Sequence, residues 1–144
     1  MKKLFLISTL FLLVFSLNAQ KVKENKVPEK VKSALIQQYP KADEIKWEKE
    51  NNAYEAEFEM NEIEYSVLIN ESGTITETEI EIKYEELPQA VKTSFKAEYP
   101  EKKIKEVSKI TMSDGTVSYE VEINSGDLIY NSNGELISSE KKSD

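Results

Sequence analysis

The sequence predicts an α+β protein built as a tandem repeat. Each copy is one helix followed by a four-stranded antiparallel meander, and both helices are expected on one face of a curved sheet. Three observations lead there. First, Val27-Pro28-Glu29-Lys30-Val31-Lys32-Ser33-Ala34-Leu35 runs on to Tyr39-Pro40, and sixty positions later Leu87-Pro88-Gln89-Ala90-Val91-Lys92-Thr93-Ser94-Phe95 runs on to Tyr99-Pro100. Second, Tyr54-Glu55-Ala56-Glu57-Phe58 returns as Tyr119-Glu120-Val121-Glu122-Ile123, and Asn70-Glu71-Ser72-Gly73 as Asn131-Ser132-Asn133-Gly134. Third, the apolar period changes from 3.6 to 2 after each helical stretch. A unit of roughly 55 residues buries only about 60% of its unfolded surface. Two units sharing one core are therefore expected, as a single domain.

The chain opens on a segment with export character. Lys2-Lys3 form a basic start, Leu4 to Leu17 an apolar run, and Leu17-Asn18-Ala19 a cleavage site before Gln20, so residues 1–19 read as a signal peptide. The apolar run falls short of the ~20 residues that a spanning helix needs. With no cysteine, a lipid anchor attached through that residue is excluded. The mature protein is expected to be periplasmic or secreted, with no stable membrane anchor after cleavage. Residues 20–26 are charged and lack an apolar pattern, and read as a flexible leader. The first repeat is placed at 27–84, the second at 85–140, and a disordered tail at 141–144.

In each helix the apolar residues recur every four positions: Val27, Val31, Leu35 and Tyr39, then Leu87, Val91, Phe95 and Tyr99. Pro28 and Pro88 suit a helix start, and Pro40 and Pro100 end it by pushing the preceding tyrosine out of the α region. No side chain suited to capping precedes either helix, so packing must hold them.

Alternation then marks the strands. An Asn51-Asn52 turn pairs Trp47 with Ala56, and an Asn61-Glu62 turn pairs Met60 with Ile63, Phe58 with Tyr65, Ala56 with Val67 and Tyr54 with Ile69. Both turns put one apolar set on one face, and a one-residue slip would send it into water. A fourth strand runs from about Thr74 to Lys83, with an alternation that slips between Ile75 and Ile80. In the second copy an Asp114-Gly115 turn pairs Ile110 with Tyr119, and a Ser125-Gly126 turn pairs Ile123 with Leu128 and Val121 with Tyr130. Val107 then falls on the outer face, with a bulge between Ile104 and Ile110. A short last strand lies near Glu135 to Ser139.

Composition narrows function. The formal charge is −8, and losing Lys2 and Lys3 takes it to −10; every one of the 19 basic residues is Lys. Such a polyanion repels nucleic acid and favours cationic partners. There is no His, Cys or Arg, and no serine in a nucleophile elbow, so no enzyme activity and no cofactor are expected. The candidate partner-binding residues are Glu55, Glu57, Glu59, Glu64, Glu120 and Glu122, alternating along the outer face. Neighbouring charges ~7 Å apart repel by about 0.6 kcal/mol in water, so this row is expected to be wet or covered by a cationic partner. Lys46 facing Glu57 and Lys109 facing Glu120 relieve part of it. A solvated face that discourages sheet-to-sheet aggregation is the competing explanation. Asn131-Ser132-Asn133-Gly134-Glu135, with Glu140 six residues beyond the glycine, has calcium-loop spacing, but strands rather than helices flank it. Trp47, inward beside Ala56, reads as core.

The tandem Val/Leu-Pro and Tyr-Pro helices, each followed by a meander with an Asn-x-x-Gly turn, resemble the PepSY-like family of secreted bacterial proteins, which are described as β-lactamase-inhibitor-like for their fold. The likeness covers residues 27–140 and rests on Pro28, Tyr39, Pro40, Tyr54 and Gly73 and their partners Pro88, Tyr99, Pro100, Tyr119 and Gly134. None is a catalytic motif, so what the resemblance implies is a fold. Related PepSY domains are associated with peptidase inhibition, although this sequence lacks the cysteines of the inhibitor that names the fold. The leading expectation is an exported, non-enzymatic module that presents an acidic sheet surface to a peptide or protein partner. The alternatives are a periplasmic peptidase or hydrolase inhibitor, or a calcium-responsive envelope protein.

Overall fold

Pro28 and Pro88 stand as the cap residues of two ten-residue helices, α1 (Glu29–Gln38) and α2 (Gln89–Glu98). As the sequence implies, neither has a side-chain cap. Both stop before a Tyr-Pro pair, where the Tyr39 and Tyr99 N–H groups still donate to the carbonyls of Leu35 and Phe95. Val31, Leu35, Val91 and Phe95 are the residues these helices bury. The structure is a computed structural model and describes residues 20–141; the expected signal peptide and residues 142–144 of the expected tail lie outside the described residues.

The strands are β1 (Gln20–Val22), β2 (Lys46–Glu50), β3 (Ala53–Met60), β4 (Ile63–Asn70), β5 (Ile75–Glu81), β6 (Ile104–Met112), β7 (Val117–Ile123), β8 (Gly126–Asn131) and β9 (Leu136–Lys141). They form one nine-stranded sheet whose spatial order is the chain order, with every pairing antiparallel. Helix α1 lies between β1 and β2 in the chain, and α2 between β5 and β6.

The first half follows its turns. Asn51, Asn61 and Glu62 take positive φ, and the pairs Trp47–Ala56, Met60–Ile63, Phe58–Tyr65, Ala56–Val67 and Tyr54–Ile69 all form. The slip foreseen in the fourth strand is a bulge: Leu68 faces Glu77 while Ile69 faces Ile75, and the extra Thr76 donates its hydroxyl to the Leu68 carbonyl.

The second half departs from expectation, for one main reason. The β6–β7 connection is a three-residue loop, Ser113-Asp114-Gly115, closed by Met112 and Thr116, with Gly115 at φ 85°. A type I turn followed by a left-handed glycine replaces the two-residue turn. Lys109 therefore faces Tyr119, and Ile110 faces Ser118. Shifting one residue exchanges the faces. Val107 points to the helices and is buried, Ile110 lies on the other side, and Lys109 does not oppose Glu120. The bulge itself sits between Ile104 and Glu106. At the next hairpin the loop is Asn124-Ser125, pairing Ile123 with Gly126, Val121 with Leu128 and Tyr119 with Tyr130. That two-residue offset leaves every side chain on its expected face.

Residues 20–26 are not a flexible leader. Gln20–Val22 pair with β2, placing Val22 opposite Trp47 and against the core, and Glu24–Lys26 form a 3-10 turn. Three backbone positions on an otherwise open edge, plus one half-buried valine packed on the core, order the segment.

The apolar core divides into two clusters rather than one. Val27, Val31 and Leu35 pack on Trp47, Tyr54, Ala56, Phe58, Val67 and Ile69. Leu87, Val91 and Phe95 pack on Val107, Val121, Ile123, Leu128 and Tyr130. Each fully buried side chain of this size contributes about 1.5–3 kcal/mol. In the first cluster Tyr39 lies 5.3 Å from Phe58 and 5.6 Å from Tyr65, ring centre to ring centre.

Candidate functional site

The side chains facing away from the helices build the candidate site. Alternation brings Glu55, Glu57 and Glu59 of β3 to this face, with Glu64 of β4 opposite Glu59. Glu120 and Glu122 of β7 reach it opposite Ser108 and Glu106. The six residues picked from sequence thus share one face. The register adds others: Glu77, Glu79 and Glu81 from β5, Glu48 and Glu50 from β2, Glu106 from β6, and Asp127 opposite Glu122. Glu77 and Glu79 escaped the sequence reading because the bulge at Thr76 hid the register of their strand. The spacing of Glu77, Glu79 and Glu81 was the signal that pointed to them.

This face is not the wet slab expected. Glu55 is 3% exposed, Glu120 4%, Glu122 3%, Glu77 5% and Glu79 7%, whereas Glu59 and Glu64 are open to solvent and Glu57 is half-buried. The two helices pack on the other side, so what covers these carboxyls is the sheet itself together with their own neighbours. Charges on separate strands feel one another accordingly: Glu122 of β7 adds to the upward shift on Glu64 of β4. Two apolar residues, Ile110 and Ile129, form a small buried pair within the same face.

Burial sets the electrostatics. It pushes the Glu55 carboxyl up to about 8, aided by Glu57 and Glu48 and opposed by the Ser66 hydroxyl, which donates to Glu55 Oε1 at 2.7 Å. Glu77 and Glu106 rise to about 7, again mainly by burial, with Glu50 acting on the first and Glu64 and Glu81 on the second. Glu79 and Glu120 are raised by burial and then by neighbouring carboxylates: Glu77 acts on Glu79, and Glu79 acts on Glu120. Burial also lifts Glu57, Glu64 and Glu50. Compensation is sparse. Lys105 reaches Glu122 at 3.6 Å, but Glu77 Oε1, Glu79 Oε2 and Glu120 Oε2 are buried without a hydrogen-bond partner among the described residues.

Chemically this is a desolvated acidic face whose most buried carboxyls hold their protons near neutral pH. Among the described residues no set of three or more acidic side chains converges as a metal ion requires. The Asn131 loop is a turn: Asn131 Oδ1 accepts from the backbone N–H of Asn133 and Glu135, and its amide bonds to the Glu135 carboxylate. Asn70 does the same for Ser72 and Thr74. In both copies that oxygen is already committed to backbone N–H groups.

The following glycines fix how the turns meet the helices. Gly73 and Gly134 take φ of 87° and 82°, and a Cβ there would lie 2.9 Å from the Lys30 carbonyl oxygen and 2.5 Å from that of Ala90. The same turn therefore seats the same helix in each half. Comparison with known families agrees with this doubling. The model of the beta-lactamase-inhibitor-like, PepSY-like family matches residues 15–77 and again 65–138. The chain belongs to this family.

Solved structures similar to this PepSY-like protein share its curved antiparallel sheet and two helices. One, described as a periplasmic protein of Bacteroides eggerthii, is 20% identical, with a TM-score of 0.73 over 80% of this chain and 88% of that one. A DUF2874 family protein of Bacteroides uniformis is 24% identical, with a TM-score of 0.70 over 79% and 88%. A BLIP-like protein of Bacteroides fragilis is 24% identical, with a TM-score of 0.65 over 81% and 89%. At these identities the likeness is one of fold. No curated protein matches the sequence. Among the described residues no helix is long and apolar enough to cross a membrane.

Proposed function

We propose that this PepSY-like protein is an exported, non-enzymatic binding module whose acidic sheet face holds a lysine- or arginine-rich segment of a peptide or protein. One observation carries the reading: buried carboxylates crowd a single face, and Glu77 Oε1, Glu79 Oε2 and Glu120 Oε2 lack partners among the described residues. A buried acceptor left unmade costs about 1–3 kcal/mol, more when charged, and a bound ammonium or guanidinium relieves that cost. An extended cationic chain suits these acids better than a metal ion, because they spread along strands rather than converge. The non-enzymatic part rests on the missing His, Cys and Arg and on the family's description as inhibitor-like. Export rests on the character of residues 1–19 and on relatives described as periplasmic.

Calorimetric titration with an oligolysine peptide at low salt tests it. Binding at pH 7 should release protons, read as a dependence of the heat on the buffer's ionisation enthalpy, because a cation favours the ionised form of groups titrating near 7–8. Glu79→Gln combined with Glu120→Gln should weaken binding by roughly tenfold or more. An affinity identical in the double variant, or binding without proton release, would exclude the buried face as the site.

A further inference from the structure

The duplication supplies an internal comparison that points to a second site. Trp47 faces Ala56 and Val107 faces Val121, matching residues of the repeat, so Val107 stands where the first half has Trp47. Both are 4% exposed. The first half fills this corner with its own indole. The second half has a cavity of about 510 Å³ there, against Val107, Ile104 and Ile82. Its aromatic lining is Phe95 and Tyr99, stacked with ring centres 5.9 Å apart, together with Tyr84. Ligand pockets span roughly 300–1,000 Å³.

Charge around the opening differs between the halves in the same systematic way. Lys96 and Lys102 line the cavity where the sixty-residue offset places Ile36 and Ala42 in the first half, and Lys105, the extra residue of the bulge, lines it too. Lys105 is taken by Glu122, whereas Lys96 and Lys102 are exposed and without an ion-pair partner among the described residues. Glu81 and Glu106 also line the cavity, on the side where it meets the acidic face, so the helix side of the mouth is the basic one.

We infer that this cavity binds a small aromatic carboxylate, its ring taking the place that Trp47 fills in the first half and its anionic group held at Lys96 and Lys102. The site adjoins the acidic face through Glu81 and Glu106, but the groups proposed to hold the ligand, Lys96, Lys102 and the aromatic lining, lie outside that face.

Indole acetate is the probe, titrated by calorimetry at low salt. Binding with a dissociation constant of about 0.1–1 mM is expected for a ligand of this size. Uncharged indole ethanol should bind several-fold more weakly. Val107→Trp, which gives the second half the first half's residue, should abolish binding while the melting temperature holds. Lys96→Ile with Lys102→Ala, both surface changes, should weaken indole acetate to the level of indole ethanol and remove the salt dependence. No binding by the wild type at millimolar probe, equal binding of the two probes, or binding unaffected in the lysine variant would each overturn the inference. Unchanged binding in a folded Val107→Trp protein would do so too.

Discussion

Glu55 shows how one carboxyl comes to work against its own fold. It is almost fully covered, Ser66 donates to it at close range, and its acidic neighbours are Glu57 on its own strand and Glu48 opposite on β2, with Leu68 opposite on β4. An ordinary glutamate in the unfolded chain titrates near 4.3, so a folded value of about 8 means that the native state holds the proton more tightly. Stability from this group is intact below about pH 4 and is lost as pH rises through 8, because folding must then bury a charge. Glu55→Gln keeps an oxygen for Ser66 and removes that charge. It should stabilise the protein by about 2–4 kcal/mol at pH 8.5, with the gain shrinking toward zero near pH 4, read from urea unfolding at each pH. A variant weaker than wild type at pH 8.5 would mean that the Glu55 carboxylate is well solvated.

At the scale of elements, the turns decided how much could be read in advance. Asn51-Asn52 and Asn61-Glu62 sit between strands with unbroken alternation, so loop length and pattern agreed and the first three meander strands came out in register. Asp114-Gly115 carries the same kind of signal, yet its glycine closes a three-residue loop, and nothing local to the dipeptide distinguishes the two geometries. That single residue exchanged the faces of Val107, Lys109 and Ile110, and with them part of the candidate site. The segment at 20–26 was legible in retrospect: Val22-Lys23 and Val27-Pro28 match Ile82-Lys83 and Leu87-Pro88, so the repeat begins before its first proline. Both copies carry a 3-10 turn at the same offset, Glu24–Lys26 and Tyr84–Glu86. The acidic face was visible as alternating glutamates; its burial was not, because how closely neighbouring side chains cover one another leaves no mark in periodicity.

The turns that seat the helices give a sharper test of element packing. Gly134→Ala adds a methyl in a left-handed position against the Ala90 carbonyl, a backbone atom that cannot step aside cheaply. A loss of about 2 kcal/mol or more is expected, which for a domain of this size lowers the melting temperature by roughly 6 °C or more. Gly73→Ala should cost less, since its contact with the Lys30 carbonyl is looser. Reversed ranking in thermal melts would mean that the two halves do not seat their helices alike.

For the molecule as a whole, the raised carboxyls act in concert. Glu55, Glu77 and Glu106 titrate near 7–8 when folded, and Glu79 and Glu120 are shifted in the same direction. Between about pH 4.5 and 8 the folded protein binds more protons than the unfolded chain, so stability falls as pH rises across that range. The melting temperature should drop steadily from pH 5 to pH 8.5. At the upper end, added salt should recover part of the loss by screening a chain of net charge −8. A flat profile over that interval would show that the acidic face is hydrated in solution.

The strand order has a kinetic corollary. Because neighbours in the sheet are also neighbours in the chain, six of the eight strand interfaces are closed by hairpin loops and need no distant partner to wait for. Closing a short loop takes little entropy, whereas the two helix-bearing crossings, β1 to β2 and β5 to β6, must each gather some two dozen residues first. Assembly by successive zipping from either meander is the natural route, with the β5–β6 junction as its slowest seam.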